Sequence, residues 1–304
     1  CYDEALAIDR DFASAWHGRG DCLQMQKKYE EAIKCYDTSL SVDNKYVESF
    51  YDKGLCLMLI KRYDDAVACF DRVIELDPVF SSAYYNKGKI LYEKKDYQDA
   101  LKYFNKTLQI DEKDIDAWNM KGMILGEEKK FEEALLCFDK VLKSSPENRT
   151  ALTGKGACLE GLYRYDEAMK CYDTILEIFS DNDIEALRSK GVLLLMQGNY
   201  KESLKYFDRI LSIEPSDINA LGNKGFILCE ENRYEEALEY LNKALAIKPY
   251  DAELLATTGD VLYKQEKYAD ALQYYNRSLK INGDNAQILG RKNEVLKILQ
   301  EKGE

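Results

Sequence analysis

Residues 81–114 carry two apolar stripes of helical spacing with short polar stretches between them. Ala83, Tyr84, Gly88 and Leu91 make the first, and Tyr97, Ala100, Leu101, Phe104, Leu108 and Ile110 the second. Glu93-Lys94-Lys95-Asp96 separates them, and Asp111-Glu112-Lys113-Asp114 follows with side-chain acceptors for a helix start. The spacing predicts helix A, turn, helix B, turn. The pattern then repeats: Gly20, Gly54, Gly88, Gly122, Gly156, Gly191, Gly225 and Gly259 follow one another at 34 residues, with a single interval of 35. Such a stride means a tandem array, in which each unit buries its surface against its neighbours.

Eight complete units are expected, at 13–46, 47–80, 81–114, 115–148, 149–183, 184–217, 218–251 and 252–285. Residues 1–12 read as the end of a preceding unit, with Tyr2, Ala5, Leu6 and Ile8 in register. Residues 286–304 read as a capping helix, with Arg291, Lys292, Glu294 and Glu301 on its wet side. The one inserted residue falls within 179–183, where a loop absorbs it.

With the recurring glycine as position 8, the other residues sort into columns. Position 20 is Ala except at Ser203, so helix A and helix B are expected to touch there, small residue against glycine. Position 17 is always Tyr or Phe, position 24 is aromatic except at Leu241, and all four prolines (Pro78, Pro146, Pro215, Pro249) fall at position 32, just past helix B. Acid pairs such as Glu30-Glu31 and Asp64-Asp65 open helix B, and bases such as Lys27-Lys28 are expected to close helix A, as the helix dipole favours.

These columns resemble the tetratricopeptide repeat family, whose signature is W-x2-L-G-x2-Y, A-x3-F and P. The Trp column holds Trp16, Phe50, Tyr84, Trp118, Leu152, Leu187, Leu221 and Leu255. Two departures are systematic. The residue before the glycine is basic in seven units (Arg19, Lys53, Lys87, Lys121, Lys155, Lys190, Lys224; Thr258 in the last), and the first-helix Tyr is Leu in all eight. The basic row is expected to be structural, its ammonium groups beside helix B carboxylates such as Asp71 or Asp139. A basic track for an anionic partner is the other reading.

The resemblance implies an all-α chain, a right-handed α-solenoid superhelix with helix A lining a concave groove. It places peptide contacts at Glu48, Tyr51, Leu55, Met58, Tyr85, Asn86, Lys89, Tyr92, Asn119, Met123, Arg188, Asn223 and Phe226. Repeats two to four carry the richest mix of aromatic, Met and amide groups, which suit adaptable peptide binding. The carboxylate clamp with which some family members hold a chaperone tail is missing, since repeat one offers His17 and Asp21 where the clamp has Lys and Asn. Groove acids, among them Asp21, Glu48, Asp52, Asp116 and Glu253, lean toward a neutral or basic peptide.

Composition narrows the classes. The net charge of −12 disfavours nucleic acid or an anionic membrane as partner, and no apolar window is long enough to span a bilayer. The nine cysteines include no CxxC pair, and eight fall in columns that suit small buried residues, as expected of free thiols in the cytoplasm. No H-E-x-x-H, phosphate loop or G-x-S-x-G occurs, and the single histidine, His17, reads as an exposed polar residue. No catalysis, metal or cofactor is implied.

The chain opens on Cys1-Tyr2-Asp3, with Tyr2, Leu6 and Ile8 expected to be bare. That points to a piece of a longer array or to self-association through an uncapped front. The leading reading is a non-catalytic interaction scaffold; a self-assembling array and a regulatory module of a larger signalling protein are the alternatives.

Overall fold

A computed structural model describes residues 2–9 and 11–302, without the side chains of 3–5. The expectations that fall on Cys1 and on the Ala5 side chain lie outside these residues. Among the described residues there are eighteen α-helices and no strand. The chain divides between Gly161 and Leu162 into two compact units, so the boundary falls inside repeat five.

The first unit holds α1 (Tyr2–Ile8) and then A and B helices in alternation: α2 (Ala13–Met25), α3 (Tyr29–Val42), α4 (Val47–Leu59), α5 (Tyr63–Leu76), α6 (Ser81–Glu93), α7 (Tyr97–Ile110), α8 (Ile115–Glu127), α9 (Phe131–Ser144) and α10 (Arg149–Gly161). The second holds α11 (Tyr165–Ile178), α12 (Ile184–Met196), α13 (Tyr200–Ile213), α14 (Ile218–Glu230), α15 (Tyr234–Ile247), α16 (Ala252–Lys264), α17 (Tyr268–Ile281) and α18 (Ala286–Lys302). Within each unit every helix packs on its sequence neighbours.

The turn from A to B is sharp. Lys27, Lys61, Lys95 and Lys129 adopt φ of 60–62°, the left-handed region, and Gly198, Asn232 and Glu266 do so in the second unit. The next amide closes the turn, as where Arg62 N donates to Leu57 O at 2.8 Å and Lys130 N to Leu125 O at 2.9 Å. The bases expected at the end of helix A therefore sit in this turn, one step beyond the helix.

Helix A begins in two ways. In repeats four and six to eight Asp114, Asp183, Asp217 and Asp251 cap it, for example Asp114 accepting from Ala117 N at 2.8 Å. In repeats one to three the aromatic residues Phe12, Tyr46 and Phe80 stand there with no side-chain cap.

Gly20, Gly54, Gly88, Gly122, Gly191 and Gly259 meet the ring at position 24 rather than the small residue of helix B, whereas a Cβ on Gly225 would meet Leu241 and, at 3.3 Å, the carbonyl oxygen of the small residue Ala237. A Cβ on Gly54, Gly88, Gly122 or Gly191 would stand 2.7–3.0 Å from Phe70, Phe104, Phe138 or Phe207 respectively, closer than carbon atoms pack. All four rings are at most 1% exposed. The glycine is a seat for an aromatic ring, and the small residue at position 20 lies beside it, one turn earlier on the same face of helix B.

The front is bare in part, as expected: Ile8 is 90% exposed and Tyr2 45% exposed although its ring lies on Gly18, whereas Leu6 is buried. Of the repeat-phased cysteines, Cys35, Cys56, Cys69, Cys137, Cys158 and Cys171 are buried, whereas Cys22 is exposed. Burial pushes the thiols of Cys69, Cys137 and Cys158 up to about 11 and that of Cys56 to about 12, so they stay protonated and unreactive at neutral pH.

Candidate functional site

The basic row tethers each A helix to the preceding B helix. Lys53 pairs with Asp37 at 2.5 Å and Lys155 with Asp139 at 2.6 Å; Lys87, Lys190 and Lys224 pair with Asp71, Asp173 and Asp208. The ammonium groups of Lys87, Lys190 and Lys224 also stand 4.4, 4.8 and 4.1 Å from the centres of the Tyr103, Tyr206 and Tyr240 rings. Burial opposes these charges, but the carboxylate hydrogen bonds outweigh it and raise all three pKa values. Lys121 departs from the pattern: its partner is Asn105, at 2.7 Å. The row is structural.

On the A-helix side of the first unit, several expected contact residues are already engaged. Asn86 is buried and donates to Tyr51 Oη at 3.1 Å and to Ser82 O at 2.9 Å, and the Tyr51 ring packs on Phe80. Asn119 is buried and reaches Asn148 Oδ1 at 3.3 Å, its own Oδ1 without a partner. Tyr85 leans on Phe104, and Tyr92 on Tyr97. Leu55 and Met58 are half-buried against the core of repeats one to three, Lys89 and Met123 are half-buried, and Glu48 is exposed.

His17 is not the exposed residue its position suggests. Its side chain is 15% exposed and lies between the Tyr36 and Tyr46 rings. Nε2 stands 2.9 Å from Asp52 Oδ2, and Nδ1 stands 3.5 Å from Asp21 Oδ2. Tyr36 Oη donates to Asp21 Oδ1 at 2.9 Å. The three metal-type ligands present atoms within 4.8 Å of one another. Different nitrogens of the ring address the two carboxylates, so the arrangement holds an imidazolium and ties helix A of repeat one to helix A of repeat two.

Burial penalises that charge, but the Asp52 hydrogen bond and the Asp21, Asp52 and Glu48 carboxylates prevail and raise the pKa above 6.5. A raised folded-state value means that the stabilisation is complete below the unfolded imidazole's pKa and is lost as pH rises through the folded value. Urea titrations of wild type and His17→Gln should therefore differ most below pH 6.5 and converge only as pH rises through the raised folded value. A difference independent of pH would remove the imidazolium from the account.

In the second unit the A-helix side opens. Two clefts, of about 260 and 290 Å³, adjoin each other and share Phe226 and Thr257. Phe226, on α14, is 38% exposed. The first cleft also takes in Asn219, Gly222 and Asn223 of α14 and Glu253 and Leu254 of α16. The polar groups of the second are already paired: Tyr275 donates to Asp260 at 2.8 Å, Arg291 of α18 pairs with the same carboxylate, Lys264 pairs with Glu230 at 2.9 Å, and Tyr263 donates to Glu294 at 2.7 Å. Arg291 and Glu294, read as the wet side of α18, thus face this cleft.

Of the expected contacts, Asn223 and Phe226 line the first cleft, while Arg188 is held by Asp217 at 2.7 Å. Position 5 carried the signal that was missed. It holds His17, Tyr51, Tyr85, Asn119, Thr153 and Arg188 in repeats one to six, then Gly222 and Ala256. Gly222 lines the first cleft, whereas Ala256 is buried in the core.

Tetratricopeptide repeat profiles match residues 13–46, 51–115, 119–183, 184–217 and 216–283. The chain belongs to the tetratricopeptide repeat family. No curated protein matches its sequence. Among solved structures, a tetratricopeptide repeat protein from Parabacteroides merdae is similar over 82% of this chain and 98% of its own, with 20% identity and a TM-score of 0.66. Pseudomonas aeruginosa pilF covers 72% of this chain and 96% of its own, at 16% identity and a TM-score of 0.59. YrrB, described as a TPR protein with an unusual peptide-binding site, covers 62% of this chain and 97% of its own, at 22% identity and a TM-score of 0.54. At these identities the likeness is one of fold. Family and fold point to a scaffold rather than an enzyme. Among the described residues, no helix is long and apolar enough to cross a membrane.

Proposed function

We propose that the protein is a non-catalytic interaction scaffold whose second unit binds a partner segment along its A-helix side, with Phe226 as the central contact. The observation that carries this is the pair of adjoining clefts meeting at a half-exposed aromatic ring. An apolar anchor flanked by amide groups, here Asn219 and Asn223, suits an extended peptide whose backbone needs partners. Glu253 stands exposed at the mouth with no cationic partner among the described residues, which favours a neutral or basic segment. On the first unit, taken by itself, Glu48, Leu55, Met58, Lys89 and Met123 stay exposed or half-buried and offer contacts in their own right. The buried thiols fit a reducing compartment such as the cytoplasm.

A peptide-array screen with wild type, Phe226→Ala and a Tyr51→Ala/Tyr85→Ala/Tyr92→Ala variant tests the reading. Partners retained by wild type should bind Phe226→Ala about tenfold more weakly or worse. They should bind the triple variant with little change wherever it stays folded. Equal retention by Phe226→Ala would overturn the assignment.

A further inference from the structure

The opposite, B-helix side of repeat four carries a cleft unlike its counterparts. It measures about 580 Å³ and lies between α8 and α9, with Trp118 and Lys121 on one wall and Leu136, Cys137, Lys140 and Lys143 on the other. The same place in repeat three, between Tyr84, Lys102, Tyr103 and Lys106, measures about 400 Å³. Repeat four has the small Cys137 where repeat three has the Tyr103 ring, but repeat two has Cys69 in that column and its cleft, beside Phe50, Lys53 and Ala68, measures about 320 Å³, so the cysteine alone does not set the size.

The neighbouring position is more telling. Leu136 is 67% exposed, whereas the seven other repeats hold Lys34, Ala68, Lys102, Lys170, Lys205, Glu239 and Gln273 in that column. In this column, a large aliphatic side chain stands in water in repeat four alone.

Charge changes in the same place. In the five neighbouring pairs of this row a helix B aspartate neutralises the lysine, but Lys121 meets the uncharged Asn105. Among the described residues neither Lys121 nor Lys143 has a carboxylate partner. Lys140 is paired with Glu112 and Asp139 with Lys155, and Glu133 stands at the rim. Lys121 and Lys140 each stand 5.3 Å from the Trp118 ring centre. On a chain of charge −12, this cleft has an apolar floor and a local excess of ammonium groups.

We propose that this cleft is a second docking site, separate from the A-helix side, for a short acidic segment of a partner protein that inserts one large aliphatic side chain between Trp118 and Leu136. The apolar walls take the side chain, and Lys121 and Lys143 take the flanking carboxylates.

Trp118 reports on its own site once Trp16 is replaced by Phe, the residue repeat two has in that column. The probe is acetyl-Asp-Glu-Leu-Glu-Asp-amide, with one control carrying Ser for Leu and another Lys for each acid. The probe should shift Trp118 emission saturably, and both controls should bind about tenfold more weakly or not at all. Leu136→Lys/Cys137→Tyr rebuilds the walls of repeat three from residues that this fold already holds there. It should abolish the shift while leaving the circular dichroism and urea midpoint close to those of the parent. Phe226→Ala should leave the shift intact, so failure here and failure of the A-helix reading are told apart. No saturable shift, equal binding of the Lys control, or a shift that tracks protein concentration without peptide would overturn the proposal.

Discussion

Replacing Phe138 by alanine is expected to lower the unfolding free energy by about 3–5 kcal/mol, toward the upper part of that range. The ring is 1% exposed and is held on two sides by residues that have no side chain. Gly122 of α8 presents one face: a Cβ there would stand 2.8 Å from the ring. Gly154 of α10, in the next repeat, presents another and would clash as well. A cavity between two glycines cannot be filled by rotamer changes of its walls, so most of the lost contact stays lost. The reverse substitution should fail for the complementary reason: Gly122→Val puts carbon where the ring already stands, and Phe138 cannot retreat because Gly154 backs it. Urea unfolding followed by circular dichroism measures both. A loss below about 1 kcal/mol for Phe138→Ala would mean that helices close over the gap and that the glycine seat is not what sets their separation.

The helices, their order and the repeat register were legible because each rests on local spacing that recurs eight times. What was misread needed to know which residues of different repeats meet. The glycine column was assigned to the small residue at position 20, since smallness on both helices suggests contact. The ring at position 24 lies one turn further along the same face and reaches the glycine first. His17 looked exposed, yet the Tyr36 and Tyr46 rings of its own repeat flank it, and the Asp52 carboxylate that completes its surroundings comes from the following repeat, 35 residues on. Asn86 looked available for a peptide backbone, yet Tyr51 of the preceding repeat occupies it. The clefts of the second unit were half visible, through Phe226 and Asn223. The other half is written as an absence at Gly222, and a missing side chain gives no signal until its neighbours are in place. The lysine row was readable but for Lys121, which meets Asn105, because Lys87 and Asp71 belong to columns that recur together.

That row gives the second large effect, and its sign depends on which partner is removed. The Lys190 side chain is 9% exposed, and its ammonium group lies between Asp173 and the Tyr206 ring. Asp173→Ala leaves the charge in place with only the ring to answer it. Because Asp173 is 45% exposed, water can enter once the carboxylate is gone, so the expected loss is about 1–2 kcal/mol rather than the 3–5 of a fully enclosed charge. Lys190→Met removes the charge and keeps an aliphatic stem along the same apolar surface; Asp173 turns to solvent, and stability should change by less than about 1 kcal/mol. The double variant should then resemble Lys190→Met, since the cost of Asp173→Ala exists only while the ammonium remains. Four urea titrations complete the cycle. Equal losses for the two single variants would mean that the pair itself stabilises the array; unequal losses in the expected order mean that a lysine in this column obliges the preceding repeat to supply an aspartate, and so fixes which surfaces of successive repeats can meet. On that account Lys121, opposite Asn105, is the lysine of the row whose carboxylate is not supplied by the preceding repeat.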